Sequence, residues 1–424
     1  MRSIDLMKLC ACQAVLAAAL VGCRGRTPSH LAPTPPPVVA SPTAGAESAT
    51  PLPARAAAPA AAPAGPAAAP RAGEGDCAVT NIRYFGLAGE NDWSPDGSLL
   101  VFGRRDDQGI YQLYTAHPDG SAETCISCAE VAGGPTRDRH KGFAAWHPSG
   151  RYIVAQVEMA RHVPLKRLTE PGRGAWNNLW VVTPDGQRWF QLTDYASLAP
   201  TGVLGPRFSR DGKRLFWAEK IGGATKEAPF GQWQLDIADF VEEGGVPRLQ
   251  NIQSFRPGNG LFYEAHGFTA DDRQVLFAAD VGLPTPFALD LFAYDLASGE
   301  LRNLTNSPDQ WDEHAVSSPT GRKIAFMSSR PYPSFDPARF STTNLSILQT
   351  EEFLMDPDGS HWQQLTHFNE PGYPESTAEH SVAAVASWSP DGASLAVAQF
   401  LVGPSYDSQA ARRLWIIQFQ GKCG

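Results

Sequence analysis

The feature of this sequence that most constrains its fold is a five-residue motif, Trp-Ser-Pro-Asp-Gly, at positions 93–97 and again at 388–392. Degenerate copies of the motif lie between these two, at 146–150, 208–212, 268–272 and 317–321. In such a motif Pro presets φ for a tight turn, Asp bonds back to its own backbone and Gly adopts a left-handed conformation. The recurrence of this turn predicts an internal repeat whose loops differ in length.

Each copy of the turn is followed by short segments in which apolar and polar residues alternate, as they do in strands. Segments such as 98–102 and 394–398 come directly after the turn, and a third strand, such as 178–182, follows after a loop. Several units then close with a segment such as 363–366, which ends in Gln-Leu-Thr. Six units of four short antiparallel strands are typical of an all-β, six-bladed β-propeller.

The sixth unit ends after its third strand, at 414–419, and lacks a fourth strand of its own. A strand-like segment at 79–85 precedes the first unit. We therefore predict that this N-terminal strand becomes the outer strand of the last blade and closes the ring. The propeller would then be one domain that occupies residues 77–424.

Four of the seven cysteines fall within this domain, namely Cys77, Cys125, Cys128 and Cys423. An even number of cysteines in an oxidising compartment favours disulfides. Ring closure predicts a bridge between Cys77 and Cys423. Cys125 and Cys128 have the spacing of a redox motif, but a position in the outer strand of the first blade favours a structural bridge. A zinc site built from all four cysteines is the alternative, and it requires the two pairs to be adjacent.

Residues 1–22 predict a signal peptide, because they combine a positively charged start with an apolar run too short for a membrane span. Residues 20–23, at the end of this segment, are Leu-Val-Gly-Cys. This motif resembles the bacterial lipobox and implies lipidation of Cys23. Residues 23–76 are rich in Pro and Ala and predict a disordered tether. We expect a cell-envelope lipoprotein at the outer membrane, facing the periplasm or the cell surface. An ordinary secretory signal with a chance cysteine is the alternative.

The charge of the chain excludes one class of partner. The formal net charge is −9 and the cationic residues form no continuous stripe, which argues against nucleic acid as the main partner. We expect a monomer that contacts the membrane only through its lipid anchor.

The Ser-Pro-Asp-Gly turn, the Leu-Tyr or Leu-Trp third strand and the Gln-Leu-Thr fourth strand together resemble the WD40-like propeller repeat of the periplasmic TolB family. The resemblance covers residues 78–424. It implies the fold and no single activity, because such repeats serve binding proteins, lyases and peptidase gating domains alike. TolB also carries an α/β domain before its propeller, where this chain has its Pro/Ala-rich segment.

A second group of residues lies at the start of the predicted innermost strands, which line the central channel of a propeller. It consists of four histidines and three glutamates: His140, His266, His314, His380, Glu264, Glu313 and Glu379. Imidazoles and carboxylates suit a divalent metal such as Mn²⁺, Zn²⁺ or Fe²⁺. This set resembles oligogalacturonate lyase, a propeller whose channel histidines hold a metal. The offsets of the histidines from the turns are out of register, however, so the alternative is a set of structural polar residues.

Long loops between the second and third strands are predicted to share one face, where binding usually resides. They lie at 160–177, 222–232, 329–350 and 402–412. Cationic residues in these loops are candidate ligands for an anionic sugar or phosphate, with ordinary solvated surface as the alternative. They are Arg161, Lys166, Arg167, Arg173 and Arg330.

Two functions of different class follow from these features. The favoured one is an envelope-anchored propeller that binds a protein or glycan through the loop-rich face and channel, without a required cofactor. The alternative is a metal-dependent lyase or hydrolase of an anionic polysaccharide. The first predicts a binding surface spread over the loops. The second predicts at least three imidazoles within reach of one point, with Arg or Lys beside them.

Overall fold

The computed structural model describes residues 77–162, 166–196, 199–332, 336, 347–402 and 412–424. Within these residues, 24 strands form six four-stranded antiparallel sheets, which confirms the predicted all-β, six-bladed propeller. The signal peptide and tether expected at residues 1–76 lie outside the described residues. No helix in the described part of the chain is long and apolar enough to cross a membrane.

The first three blades run consecutively along the chain, each from its innermost to its outermost strand. Blade 1 consists of β2 (Asn91–Trp93), β3 (Leu100–Arg105), β4 (Tyr111–Ala116) and β5 (Thr124–Cys125). Blade 2 consists of β6 (Lys141–Trp146), β7 (Ile153–Glu158), β8 (Asn177–Val182) and β9 (Trp189–Gln191). Blade 3 consists of β10 (Gly202–Phe208), β11 (Arg214–Gly222), β12 (Gln232–Glu243) and β13 (Val246–Phe255).

The remaining blades follow the same order until the last one. Blade 4 consists of β14 (Tyr263–Phe268), β15 (Gln274–Ala279), β16 (Asp290–Asp295) and β17 (Leu301–Asn303). Blade 5 consists of β18 (Asp312–Ser317), β19 (Ile324–Ser328), β20 (Glu351–Met355) and β21 (Gln363–Gln364). Blade 6 consists of β22 (His380–Trp388), β23 (Ser394–Val402), β24 (Arg412–Phe419) and β1 (Val79–Leu87).

The repeated turn has the geometry that its residue types dictate. In the first copy Ser94 Oγ donates to Asp96 Oδ1 at 2.6 Å, and the backbone N–H of Ser98 donates to the same oxygen at 3.0 Å. Gly97 has φ of 74°, a left-handed value that a side chain would strain. The last copy repeats this network around Asp391. Each turn thus joins an innermost strand to the second strand of its blade.

The ring closes as the sequence predicts, because β1 pairs with β24 as the outer strand of blade 6. Cys77 and Cys423 are bonded, with Cα atoms 4.5 Å apart. Cys125 is bonded to Cys128 at the outer strand of blade 1, so each pair forms its own bridge. On the channel side, Trp93 Nε1 donates to the carbonyl of Ser387 at 3.1 Å and links blade 1 to blade 6.

Candidate functional site

A cavity of about 610 Å³ opens on the face where the long second-to-third loops lie. Leu168 and Arg173 line it from the loop of blade 2, Ala224 and Phe230 from that of blade 3, and Leu348 from that of blade 5. Residues 403–411 of the fourth long loop are outside the described residues. A cavity of this volume matches the size of sites that enclose small ligands or peptide side chains.

Aromatic side chains form the walls of this cavity. They are Phe143, Trp176, Phe230, Trp233, Phe262, Trp311 and Phe400. Phe230 packs its ring against Phe262 at a centroid distance of 5.5 Å and edge-on against Trp311 at 5.8 Å. Such tilted and edge-on contacts fix the orientation of the rings. The walls therefore present a rigid apolar surface to any bound group.

Three buried glutamates form the floor of the cavity: Glu90, Glu264 and Glu313, exposed by 1%, 4% and 6%. Glu90 is paired with Arg412, whose Nη1 lies 2.6 Å from Glu90 Oε1. Glu313 Oε2 accepts a hydrogen bond from Trp311 Nε1 at 2.8 Å. Glu264 Oε1 has no hydrogen-bond partner, although a buried carboxylate oxygen is costly to leave unpaired.

His314 lies between two of these carboxylates. Its Nδ1 is 3.6 Å from Glu264 Oε1, and its Nε2 is 3.8 Å from Glu313 Oε2. Burial lowers the pKa of His314, against the opposing effect of Glu313. Burial, followed by the charges of Glu313 and Glu90, raises the pKa of Glu264 well above its ordinary value. The floor therefore favours a neutral imidazole beside carboxyl groups that lack a full complement of cations.

His266 lies next to His314, with ring centroids 5.7 Å apart. The backbone N–H groups of His314 and Ala315 point at its Nε2 and Nδ1, each at 3.1 Å. Burial lowers the pKa of His266 well below its ordinary value. A neutral imidazole accepts a hydrogen bond at only one nitrogen, so at least one nitrogen of His266 is committed to the backbone of blade 5.

The ligand atoms of Glu264, His266 and His314 lie within 4.8 Å of one another, despite their unequal offsets from the repeated turns. A β-bulge explains this convergence. Strand β14 shifts register between Ala265 and Gly267, and β18 between Glu313 and Val316. Each bulge inserts one extra residue, which reverses the alternation of faces. His314 occupies the bulge with φ of 56°.

The structure brings together only part of the predicted metal set. Glu313 joins the group through His314, but His140 and His380 do not. His140 is buried at the start of blade 2, where its Nδ1 accepts from the N–H of Tyr111 at 3.0 Å. Glu379 and His380 are exposed at the outer end of β22. A strand as long as β22 carries its first residue away from the channel centre.

The predicted cationic residues do not all lie at the cavity. Arg173 lines the cavity. Arg161 lies in the same loop, is exposed and does not line the cavity. The side chains of Lys166 and Arg167 lie outside the described part of the chain. Arg330 lies 3.3 Å from the centre of the Trp362 ring and 3.9 Å from Asp312, so it packs on blade 5 instead. Of the three proposed anion-binding residues whose side chains are described, Arg173 alone lines the cavity.

The aromatic walls were not predicted from the sequence, because Trp and Phe are equally expected in the packing between blades. A positional signal was present. Phe262 and Trp311 directly precede the innermost strands β14 and β18, and Trp176 directly precedes β8. Aromatic residues at these points face the loop side of the channel. Glu90, just before β2, was missed because no histidine accompanies it.

A second, smaller cavity of about 310 Å³ opens on the face of the repeated turns and is lined by Asp92, Arg207 and Arg210. His266 borders it and also the narrow space that separates it from the aromatic cavity. Burial raises the pKa of Asp92 to about 6, against the opposing charge of Arg207. The two ends of the channel therefore differ in charge, with glutamates at the loop face and arginines at the turn face.

The chain matches no protein-family model and no curated protein sequence. It is similar to the crystal structure of TolB from Acinetobacter baumannii, with 16% identity and a TM-score of 0.47, over 78% of this chain and 66% of that one. A putative TolB from Agrobacterium tumefaciens has 16% identity and a TM-score of 0.44, over 67% and 86%. An oligogalacturonate lyase in complex with manganese has 11% identity and a TM-score of 0.42, over 80% and 90%.

These comparisons find the same two groups of propellers that the sequence motifs resemble. The chain spans just under two thirds of the first TolB structure. At such low identity and TM-score the similarity carries no argument about activity, because one propeller architecture serves many functions.

Proposed function

We propose that this protein is a binding propeller of the cell envelope that takes a segment of a protein partner into the aromatic cavity on its loop face. The observation that carries this proposal is the cavity itself. Rigid aromatic walls and a few convergent polar groups at the floor are the usual composition of a ligand site. Aromatic side chains also dominate the energetics of peptide recognition at interfaces.

Anchoring belongs to the same proposal. A lipid on Cys23 would hold the chain at the outer membrane, and the tether at 23–76 would let the propeller reach a partner in the periplasm or at the surface. A Pro-rich tether is partly extended, at roughly 3 Å per residue. Binding as a monomer suits a site that lies within one ring.

A rim substitution tests this function. Ala224 is exposed and lines the mouth of the cavity, so Ala224→Trp would plug it with little effect on folding. Ala297→Trp is the matched control, because Ala297 is exposed in the turn between β16 and β17. Full-length wild type and both variants would be tested against a displayed peptide library and peptidoglycan fragments. We expect peptide binding that only Ala224→Trp abolishes. Binding of glycan alone would reassign the ligand, and peptide binding unaffected by the plug would refute the site.

The alternative is a metal-dependent lyase or hydrolase, and one observation favours it: the ligand atoms of Glu264, His266 and His314 lie within 4.8 Å of one another. The donor types fit Mn²⁺, Zn²⁺ or Fe²⁺, and the unpartnered Glu264 Oε1 is consistent with a cation. In the described residues, however, this set holds two imidazoles instead of three, and one of them is engaged by backbone N–H groups. Such a metal would supply Lewis-acid stabilisation of developing charge.

Metal content decides between the two. Purified full-length protein and the double variant His266→Ala, His314→Ala would be examined by elemental analysis after incubation with each ion. Under the binding proposal we expect far less than one ion per chain. Near-stoichiometric metal that the variant loses would favour the enzyme and justify a screen of acidic polysaccharides.

A further inference from the structure

We propose that the floor of the aromatic cavity binds a primary ammonium group of the ligand, with the adjoining apolar part of the ligand held by the aromatic walls. This inference rests on the proposed binding function of the same cavity and names the chemistry that the cavity selects. The ammonium would belong to a peptide amino terminus or to a lysine side chain.

The first support is the unpaired acceptor. Glu264 is 4% exposed, lines the cavity, and its Oε1 has no hydrogen-bond partner. A buried carboxylate oxygen gains most from a charged N–H donor, which forms a short and strong hydrogen bond. A primary ammonium offers three such donors, so it can reach Glu264 and a neighbouring carboxylate together.

The second support is the charge balance at the floor. Glu90 is paired with Arg412, but no Lys or Arg nitrogen of the described residues lies within 4.0 Å of Glu264 or Glu313. Within the same distance, the ion-pair contacts of these two glutamates in the described residues are to His314 alone. Arg207 acts on Glu264 only from beyond this distance, so no Lys or Arg of the described residues contacts the two carboxyl groups directly, and a ligand cation would supply that contact.

The third support is the composition of the walls. Lys220 shows that an ammonium fits them, because its Nζ lies 4.7 Å from the centre of the Trp233 ring and donates to the carbonyl of Phe230 at 2.7 Å. Aromatic faces attract cations through their quadrupole. Apolar walls would also enclose the organic substituent of an ammonium group, which a metal ion lacks. The same combination disfavours the anionic sugar that the sequence suggested.

The test uses three short peptide amides that contain one Phe: one with a free amino terminus, one acetylated, and one acetylated with an added Lys. Each is titrated into the full chain in EDTA, and binding is followed by tryptophan fluorescence, to which Trp176, Trp233 and Trp311 in the cavity walls contribute. We expect the free-amine peptide to bind at least about tenfold more tightly than the acetylated one. The third peptide distinguishes a lysine side chain from an amino terminus as the source of the ammonium.

Two variants assign that preference to the floor. Glu264→Gln and Glu313→Gln are expected to reduce the preference for the charged peptide at least several-fold while keeping the melting temperature. Glu352→Gln is the matched control, since Glu352 is fully buried in β20 but does not line the cavity. If Glu264→Gln fails to fold, Glu313→Gln alone carries the comparison.

The outcomes separate this inference from the proposed function. Equal affinity for charged and acetylated peptides, with both excluded by Ala224→Trp, would overturn the ammonium assignment and leave peptide binding intact. Binding that appears only with added Mn²⁺ or Zn²⁺ would overturn it in favour of a metal. Binding of the charged peptide that Ala224→Trp does not weaken would place the ammonium elsewhere and would contradict both proposals.

Discussion

At the scale of single residues, Lys220 is one of two cationic side chains, with Arg173, that line the cavity and oppose the proposed cation site. Burial lowers its pKa to about 8, so it still carries its proton at pH 7. Lys220→Gln would remove that charge and keep an N–H donor for the carbonyl of Phe230. We expect the affinity for the free-amine peptide to rise about two- to fivefold, since one like charge is removed.

Lys226→Gln is the control for this prediction, because Lys226 is exposed in the same loop and does not line the cavity. Tryptophan fluorescence titrations of both variants would measure the change. The acetylated peptide should bind both variants as it binds the wild type. A loss of affinity in Lys220→Gln would show that Lys220 helps to hold the ligand.

A second residue-scale prediction concerns Asp236, which is buried in blade 3. Burial and the neighbouring Glu219 carboxyl raise the pKa of Asp236 to about 8. Ionised Asp236 is thus less favourable in the folded protein than in the unfolded chain, where aspartate titrates near 3.8. The free energy of unfolding should therefore fall as the pH rises from about 4 to about 8.

Asp236→Asn removes this titration, so its stability relative to wild type should increase over the same pH range and level off above it. The difference at high pH is expected to be on the order of 1–3 kcal/mol. Urea denaturation at several pH values would measure it. Asp239→Asn, half-exposed on the same strand, is the control for the loss of a carboxylate from β12. A gain in Asp236→Asn that does not depend on pH would contradict the assignment.

At the scale of elements, the bulge in the innermost strands decides what reaches the channel. The first residue of the bulge has a left-handed backbone in three blades. It is Phe143 in blade 2 with φ of 48°, Gly205 in blade 3 with 62° and His314 in blade 5 with 56°. Glycine adopts such values without strain, whereas other residues pay about 1–2 kcal/mol. The histidine is therefore held in a conformation that its backbone does not favour.

His314→Gly and His314→Ala both remove the imidazole, so a comparison of the two isolates the backbone contribution. We expect His314→Gly to be more stable than His314→Ala by about 1 kcal/mol, measured by chemical denaturation. At Ala315, which has no positive φ, substitution by Gly should instead destabilise the protein. Equal stability of the two His314 variants would mean that the strand relaxes out of the bulge.

The bulge also marks the limit of what the sequence could predict. The Pro-Asp-Gly turns predicted six blades because a turn depends on a few adjacent residues, and these recur as a sequence motif. The convergence of Glu264, His266 and His314 did not follow, since counting residues from the turn assumes an unbroken two-residue period. A bulge is set by how two strands pair across the sheet, and it left no mark in the local pattern around Ala265 or Glu313.

The walls of the cavity were hidden for a different reason. A Trp between two blades and a Trp at the end of a blade are both buried, and the residues next to them in sequence do not distinguish the two environments. Trp233 is 1% exposed and still lines the cavity. Only the position of the blade ends relative to the loops distinguishes the two environments, and that position arises when the ring closes.

At the scale of the whole molecule, closure of the ring brings residues from the two ends of the domain to one site. Glu90 from blade 1 and Arg412 from blade 6 form an ion pair across the closure, with Nη1 and Oε1 2.6 Å apart. Glu90 also lines the cavity with Glu264 of blade 4. The site therefore depends on a blade that is assembled from both ends of the domain, through β1 and β24.

The Cys77–Cys423 bridge is expected to stabilise this closure. It spans 346 residues of sequence, whereas Cys125–Cys128 spans 3. In the chain-entropy model a closed loop of this length contributes about 6 kcal/mol and a very short one about 2 kcal/mol. The double variant Cys77→Ser, Cys423→Ser should thus lower the free energy of unfolding more than Cys125→Ser, Cys128→Ser does. Ala88 directly follows β1 and donates its backbone N–H to the carbonyl of Arg412, so the first variant should also weaken ligand binding at temperatures well below its melting point. Denaturation and peptide titration of both variants would measure the two effects, and equal losses in stability would show that strand pairing alone closes the ring.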